Sequence, residues 1–103
     1  MTTQKDVLTF LTNIKPELQK NGIDEVGLFG SYAKNTATLT SDIDIAIKLN
    51  KNYLEKNDVW NYFNEINKIK TMIYSRFKIK SDVFDLDSSS IFKDKILKEI
   101  LYV

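Results

Sequence analysis

The sequence predicts an α+β domain: a small mixed sheet of three or more strands with helices packed on one face. Three observations lead there. Asp42–Leu49 alternates strictly, with Ile43, Ile45, Ile47 and Leu49 on one face and Asp42, Asp44, Ala46 and Lys48 on the other. Val26-Gly27-Leu28-Phe29 and Ile79–Leu86 are apolar-rich runs of strand length, bounded by polar segments. Between them lie longer stretches with apolar residues at helical spacing. A strand with one apolar face must lay that face on helices, while its acidic face stays open to water or cations.

The elements follow in order. Val7, Phe10, Leu11 and Ile14 place a helix near 4–13, capped by Thr2 or Thr3. Pro16 suits the first turn of a new helix, so a second short one is expected near 16–21. Gly22 reads as its left-handed cap. The strand at 26–29 leads into a helical turn at 31–34 and a polar loop at 35–40. After the Asp42–Leu49 strand comes a polar connection at 50–57, with 51–56 read as loop. An amphipathic helix near 58–76 carries Val59, Phe63, Ile66, Ile73 and Phe77 on one stripe, and Trp60 beside it is assigned to core or partner packing. Ser88-Ser89-Ser90 offers caps for a last helix with Ile91, Ile96, Leu97, Ile100 and Leu101 on its apolar face.

Composition narrows the chemistry. At 103 residues, one domain spanning 1–103 is expected. Lys and Arg number 15 against 14 Asp and Glu, a net charge of +1, which argues against bulk nucleic-acid binding. Cys and His are absent, so disulfides, Cys/His zinc sites and His-based triads are excluded. Any metal must sit among oxygens, as Mg²⁺, Mn²⁺ or Ca²⁺ do. No apolar run reaches membrane-span length and the start lacks a signal-peptide pattern, so a cytoplasmic protein is expected.

Asp42 and Asp44 lie two apart on a strand, and a third carboxylate is expected on the next one, among Asp82, Asp85 and Asp87. Three such groups make an oxygen cage suited to Mg²⁺ bound to phosphate. Asp-x-Asp occurs twice in this chain, about what chance supplies, so alone it reads as a solvated strand face. Gly30-Ser31, at a strand-to-helix junction, can seat a phosphate on backbone N–H groups and a hydroxyl, though alone it reads as a tight turn. The ten-residue spacing from Ser31 to Ser41 brings both to one end of adjacent strands. Phosphate donors then lie beside a metal cage, the equipment of phosphoryl or nucleotidyl transfer.

Leu28-Phe29-Gly30-Ser31-Tyr32-Ala33-Lys34-Asn35 followed by Ser41-Asp42-Ile43-Asp44-Ile45 resembles the signature of the minimal nucleotidyltransferases, within the DNA polymerase β-like superfamily. The likeness covers nearly the whole chain. It implies that Asp42 and Asp44 hold Mg²⁺ and, through it, the phosphates of ATP. It implies that Gly30 and Ser31 cradle the β- and γ-phosphates, with Lys34 and Ser41 completing the nucleotide set. Asp82 best matches the third catalytic and metal-binding carboxylate. Asp85 is the alternative, because hydrophobes lie on both faces near 79–86. One departure stands out: many members carry Arg-Gly where this chain has Lys34-Asn35. Lys keeps the charge but loses the planar fork, and Asn tolerates left-handed backbone.

The implied reaction moves AMP from ATP to a hydroxyl and releases pyrophosphate. A chain of this length is expected to lack an acceptor-recognition domain, which makes a protein partner the acceptor. Stand-alone chains of this kind resemble antitoxins that modify a Tyr of a HEPN-type ribonuclease toxin. The alternative is a non-catalytic module of the same fold that neutralises its partner by contact.

Overall fold

The computed structural model describes the backbone of residues 1–103 and the side chains of 1–53 and 55–103. Helix α1 (Gln4–Lys20) opens on a reciprocal cap: Thr3 Oγ1 accepts the Asp6 N–H at 3.1 Å and Asp6 Oδ2 accepts the Thr3 N–H at 2.9 Å. The expected break at Pro16 does not occur, and one helix runs through it. Val7 and Leu11 lie before the proline and Leu18 beyond it, all three fully buried. Burying a Leu contributes about 1.5–3 kcal/mol, similar to the roughly 3 kcal/mol an interior Pro costs a helix. A break would withdraw Leu18, so packing carries the helix across. Gly22 ends it as expected, at φ 98. A Cβ there would overlap the ring of Tyr53. The segment read as loop therefore contains a turn of helix, α3 (Tyr53–Lys56), whose Tyr53 is buried.

Strands β1 (Ile23–Phe29), β2 (Ile43–Leu49), β3 (Ser81–Asp85) and β4 (Leu101–Tyr102) form one sheet in the order β3-β2-β1-β4. β1 pairs antiparallel with β2 and β4, and β2 pairs parallel with β3. The parallel pair requires a crossover, which α4 (Val59–Phe77) provides. The short helix α2 (Gly30–Ala33) follows β1, and α5 (Lys93–Glu99) precedes β4.

β4 is absent from the sequence reading, which put Ile100 and Leu101 on a helix. The helix stops at Glu99, Ile100 is extended, and Leu101 and Tyr102 pair with Leu28 and Gly27. The outer edge of β1 carries unpaired backbone groups, and this segment satisfies them.

The α+β class and mixed sheet are as expected. The main core lies between the sheet and α1 with α4: Ile43, Ile45 and Ile47 of β2 and Leu28 of β1 meet Leu11, Ile69 and Ile73. Val59, Trp60 and Phe63 do not join it. They are 59%, 75% and 52% exposed, because the side of α4 that meets the core runs through Tyr62, Ile66, Ile69 and Ile73. The second face of the sheet is partly roofed by α5. Ala46, Leu86 and Ile96 are buried together there, ringed by Phe29, Phe84 and Ile100. Ile91 and Leu97, expected on an apolar helix face, stay exposed: Ile91 precedes α5, and Leu97 lies off the side of α5 that buries Ile96.

Replacing Pro16 with Ala restores an N–H for the Thr12 carbonyl. Pro16→Ala is expected to raise the urea-unfolding free energy by about 1–3 kcal/mol at constant m value. A loss of stability would contradict the view that packing holds α1 together against the proline.

Candidate active site

β1 ends on Phe29, which pairs with Asp44 of β2, and the chain turns at once through Gly30. Gly30 sits at φ 75, and a Cβ on it would overlap the Asp44 carboxylate. Backbone conformation and close approach both demand glycine. Ser31 follows, half-buried in the first turn of α2. Asn35 adopts φ 58, a left-handed backbone that asparagine tolerates better than most residues, so the turn forms without glycine. The Lys34 ammonium lies 3.4 Å from the Glu99 carboxylate on α5.

Strand register separates Asp82 from Asp85. Asp44 and Asp82 are direct partners across the parallel pair, on strands about 4.8 Å apart, with side chains on the same face. Asp85 pairs with Ile47, on the helix-covered face. There it accepts the Tyr62 hydroxyl at 3.1 Å and the Asp87 N–H at 2.9 Å. Its partners are structural, and the Tyr62 hydroxyl, buried beside this carboxylate, is pushed up to about 12.

Two clefts meet at Asp82. The first, about 400 Å³, is lined by the polar Lys34, Asp44 and Asp82 with Gly30, and by Phe29, Phe84, Phe92 and Ile96. The second, about 470 Å³, holds Asp42 and Asp82 with Lys70, Tyr74, Lys80 and Ser81. Asp42, the residue before β2, lines the second cleft and lies near enough to Asp44 to raise its proton affinity. Ser81 Oγ is buried without a hydrogen-bond partner among the described residues. Ser41 closes its own turn, accepting the Thr38 N–H at 2.8 Å, and lines neither cleft. A larger cavity of about 540 Å³ lies at the far end of the sheet, but its only carboxylate is Glu65.

Charge crowding marks the first cleft. The Asp44 carboxyl is pushed up to about 6, chiefly by burial, then by Asp82, Asp42 and Glu99, against the pull of Lys34. Among the described residues no three acidic groups already converge at metal-ligand distance. The donor chemistry nonetheless fits a divalent cation: all-oxygen, anionic, and carrying a proton affinity raised by like charges. Asp42, Asp44 and Asp82 are the residues that would hold it.

The α5 wall is a feature that sequence periodicity alone does not single out. Phe92, Lys95, Ile96 and Glu99 border the cleft at intervals i, i+3, i+4 and i+7, one helical face. That spacing was present in the sequence, but its partner surface was not.

Residues 12–103 match the family described as Polymerase beta, Nucleotidyltransferase. A protein of Methanocaldococcus jannaschii, named as a candidate protein adenylyltransferase, is 33% identical over 82 residues, covering 77% of this chain and 84% of its own. The protein adenylyltransferase MntA of Thermococcus cleftensis is 26% identical over 106 residues, covering 100% of this chain and 98% of its own. A toxin–antitoxin crystal structure with AMP-PNP shares the fold at a TM-score of 0.63 and 20% identity, covering 98% of this chain and 72% of that one.

Two substitutions test this geometry. The folded state holds the Asp44 proton more tightly than the unfolded chain, so the metal-free protein loses stability as pH rises from about 4 to about 6. Above pH 6, Asp44→Asn is expected to be more stable than the parent by on the order of 1 kcal/mol after solvent screening, or ~4–8 °C in melting temperature. The difference should vanish below pH 4, and an equal or lower melting temperature at pH 7.5 would refute the assignment. Gly30→Ala is expected to cost about 1–3 kcal/mol in denaturant unfolding, through strain at positive φ and displacement of the Asp44 carboxylate.

Proposed function

The chain belongs to the polymerase beta nucleotidyltransferase family, and we propose that it transfers AMP from Mg²⁺-bound ATP to a hydroxyl of a partner protein, a tyrosine, acting as the antitoxin of a HEPN-type ribonuclease toxin. The observation that carries this reading is the pairing of Asp44 with Asp82 directly beside Gly30. It puts two acids and a backbone free of side chain around one end of a cleft. Two relatives whose names specify protein adenylyltransferase support the reaction class. The shared fold of a toxin–antitoxin structure with AMP-PNP is compatible with the partner and the nucleotide. The exposed Val59, Trp60 and Phe63 on α4 are side chains of the kind a protein partner covers. The same reading puts the pair in the cytoplasm. Among the described residues no helix is long and apolar enough to cross a membrane.

In this reading Gly30 admits the β- and γ-phosphates close to the backbone and Ser31 donates its hydroxyl to them. Lys34 turns from Glu99 to a phosphate oxygen as a single point charge. Mg²⁺ on Asp42, Asp44 and Asp82 would supply charge neutralisation for the triphosphate and the departing pyrophosphate. Asp82, on the ridge between the clefts, takes the acceptor proton. The acceptor oxygen bonds to the α-phosphorus, the bond from that phosphorus to the α,β-bridging oxygen breaks, and pyrophosphate leaves.

Incubating the protein with Mg²⁺-ATP and its co-expressed partner, then weighing the partner by mass spectrometry, tests the proposal. AMP-sized increments are expected. Asp82→Asn should lower their rate by about a thousandfold or more, in line with the loss of metal neutralisation and a general base together. Asp85→Asn should keep the rate within a few-fold while losing about 1 kcal/mol of stability with its Tyr62 hydrogen bond. A partner silenced without any mass increment would favour neutralisation by contact.

A further inference from the structure

We propose that the α5 side of the first cleft is the nucleobase seat, with Phe92 and Phe84 as its aromatic walls; this rests on the nucleotidyltransferase reading above. The cleft has two kinds of lining. Gly30, Lys34, Asp44 and Asp82 can meet a polyanion and its cation, and Phe84, Phe92 and Ile96 are apolar. A ligand that joins a polyanion to a flat aromatic ring matches both, and about 400 Å³ falls within the range of small-molecule pockets.

Phe92 is 61% exposed at the cleft border, an apolar ring in water that a stacked base would cover. Phe84 packs against Phe29, edge to face at 6.4 Å between centroids. It also shares the sheet face of Asp82, two residues away on β3. The base and the phosphates therefore lie along a single strand. Lys95, on the same side of α5 as Phe92, offers a donor to the edge of the ring. Stacking tolerates any base but grows with ring area, so purines are held more tightly than pyrimidines.

Calorimetric titration of Mg²⁺-ATP, Mg²⁺-UTP and Mg²⁺-tripolyphosphate into the parent, Phe92→Ala and Phe92→Tyr tests the seat. Phe92→Ala is expected to weaken ATP about tenfold or more, as loss of one stacking contact does, and to leave tripolyphosphate within about twofold. Phe92→Tyr should recover most of the ATP affinity, and the parent should prefer ATP to UTP. Because Phe92 is largely exposed, the melting temperature of the Ala variant should stay close to that of the parent. Unchanged ATP affinity in Phe92→Ala overturns the proposal, and so does an equal loss for ATP and tripolyphosphate. A parent that binds neither ligand instead overturns the nucleotidyltransferase reading on which the seat depends.

Discussion

Asp44 holds a carboxylate half out of water against the backbone of Gly30, and the site is arranged around the cost of that charge. Burial is the largest cause of its raised proton affinity, with Asp82, Asp42 and Glu99 adding to it. Two residues along the same face the sheet places the small apolar Ala46, buried under α5. An acid at Asp44 with a second acid opposite therefore gains nothing from packing. It makes sense where a cation of higher charge joins the acids.

Holding such a group in place falls to β2, which is hydrogen-bonded on both edges. Its helix side is packed with Ile43, Ile45 and Ile47, so the strand has little freedom to shift. A slip of one residue against β3 would turn Asp82 towards the helices and bring an apolar neighbour to the cleft. The roof is fastened in a comparable way. α5 ends at Glu99, Ile100 is extended, and β4 then ties the chain to β1, while the Val103 N–H donates to the Val26 carbonyl at 3.0 Å. The α5 wall thus inherits its position from the sheet edge.

In the proposed reaction, the placement of Asp82 at the junction of two clefts suits a group transfer in which donor and acceptor arrive from different sides. Lys34 is bound up with Glu99, so in the proposed reaction part of the phosphate-binding charge is released only when a stronger anion arrives. A near-neutral chain with no His or Cys is left with carboxylates, hydroxyls and ammonium groups for its chemistry, and these are the polar side chains the two clefts present.

Local order alone determined much of this protein. The alternation of Asp42–Leu49, the cap at Thr3, the left-handed Gly22 and the Gly30-Ser31 turn each depend on residues a few positions apart, so spacing and side-chain chemistry were enough to find them. Tertiary contacts decided the rest. Whether α1 survives Pro16 depended on the burial of Leu18, and the closing segment became a strand because β1 had a free edge. Whether Asp82 or Asp85 stands opposite Asp44 depended on the β2–β3 register, which parity within one strand cannot supply. Which stripe of α5 faces the cleft was equally undetermined, because a helix shows several faces until something packs against one of them.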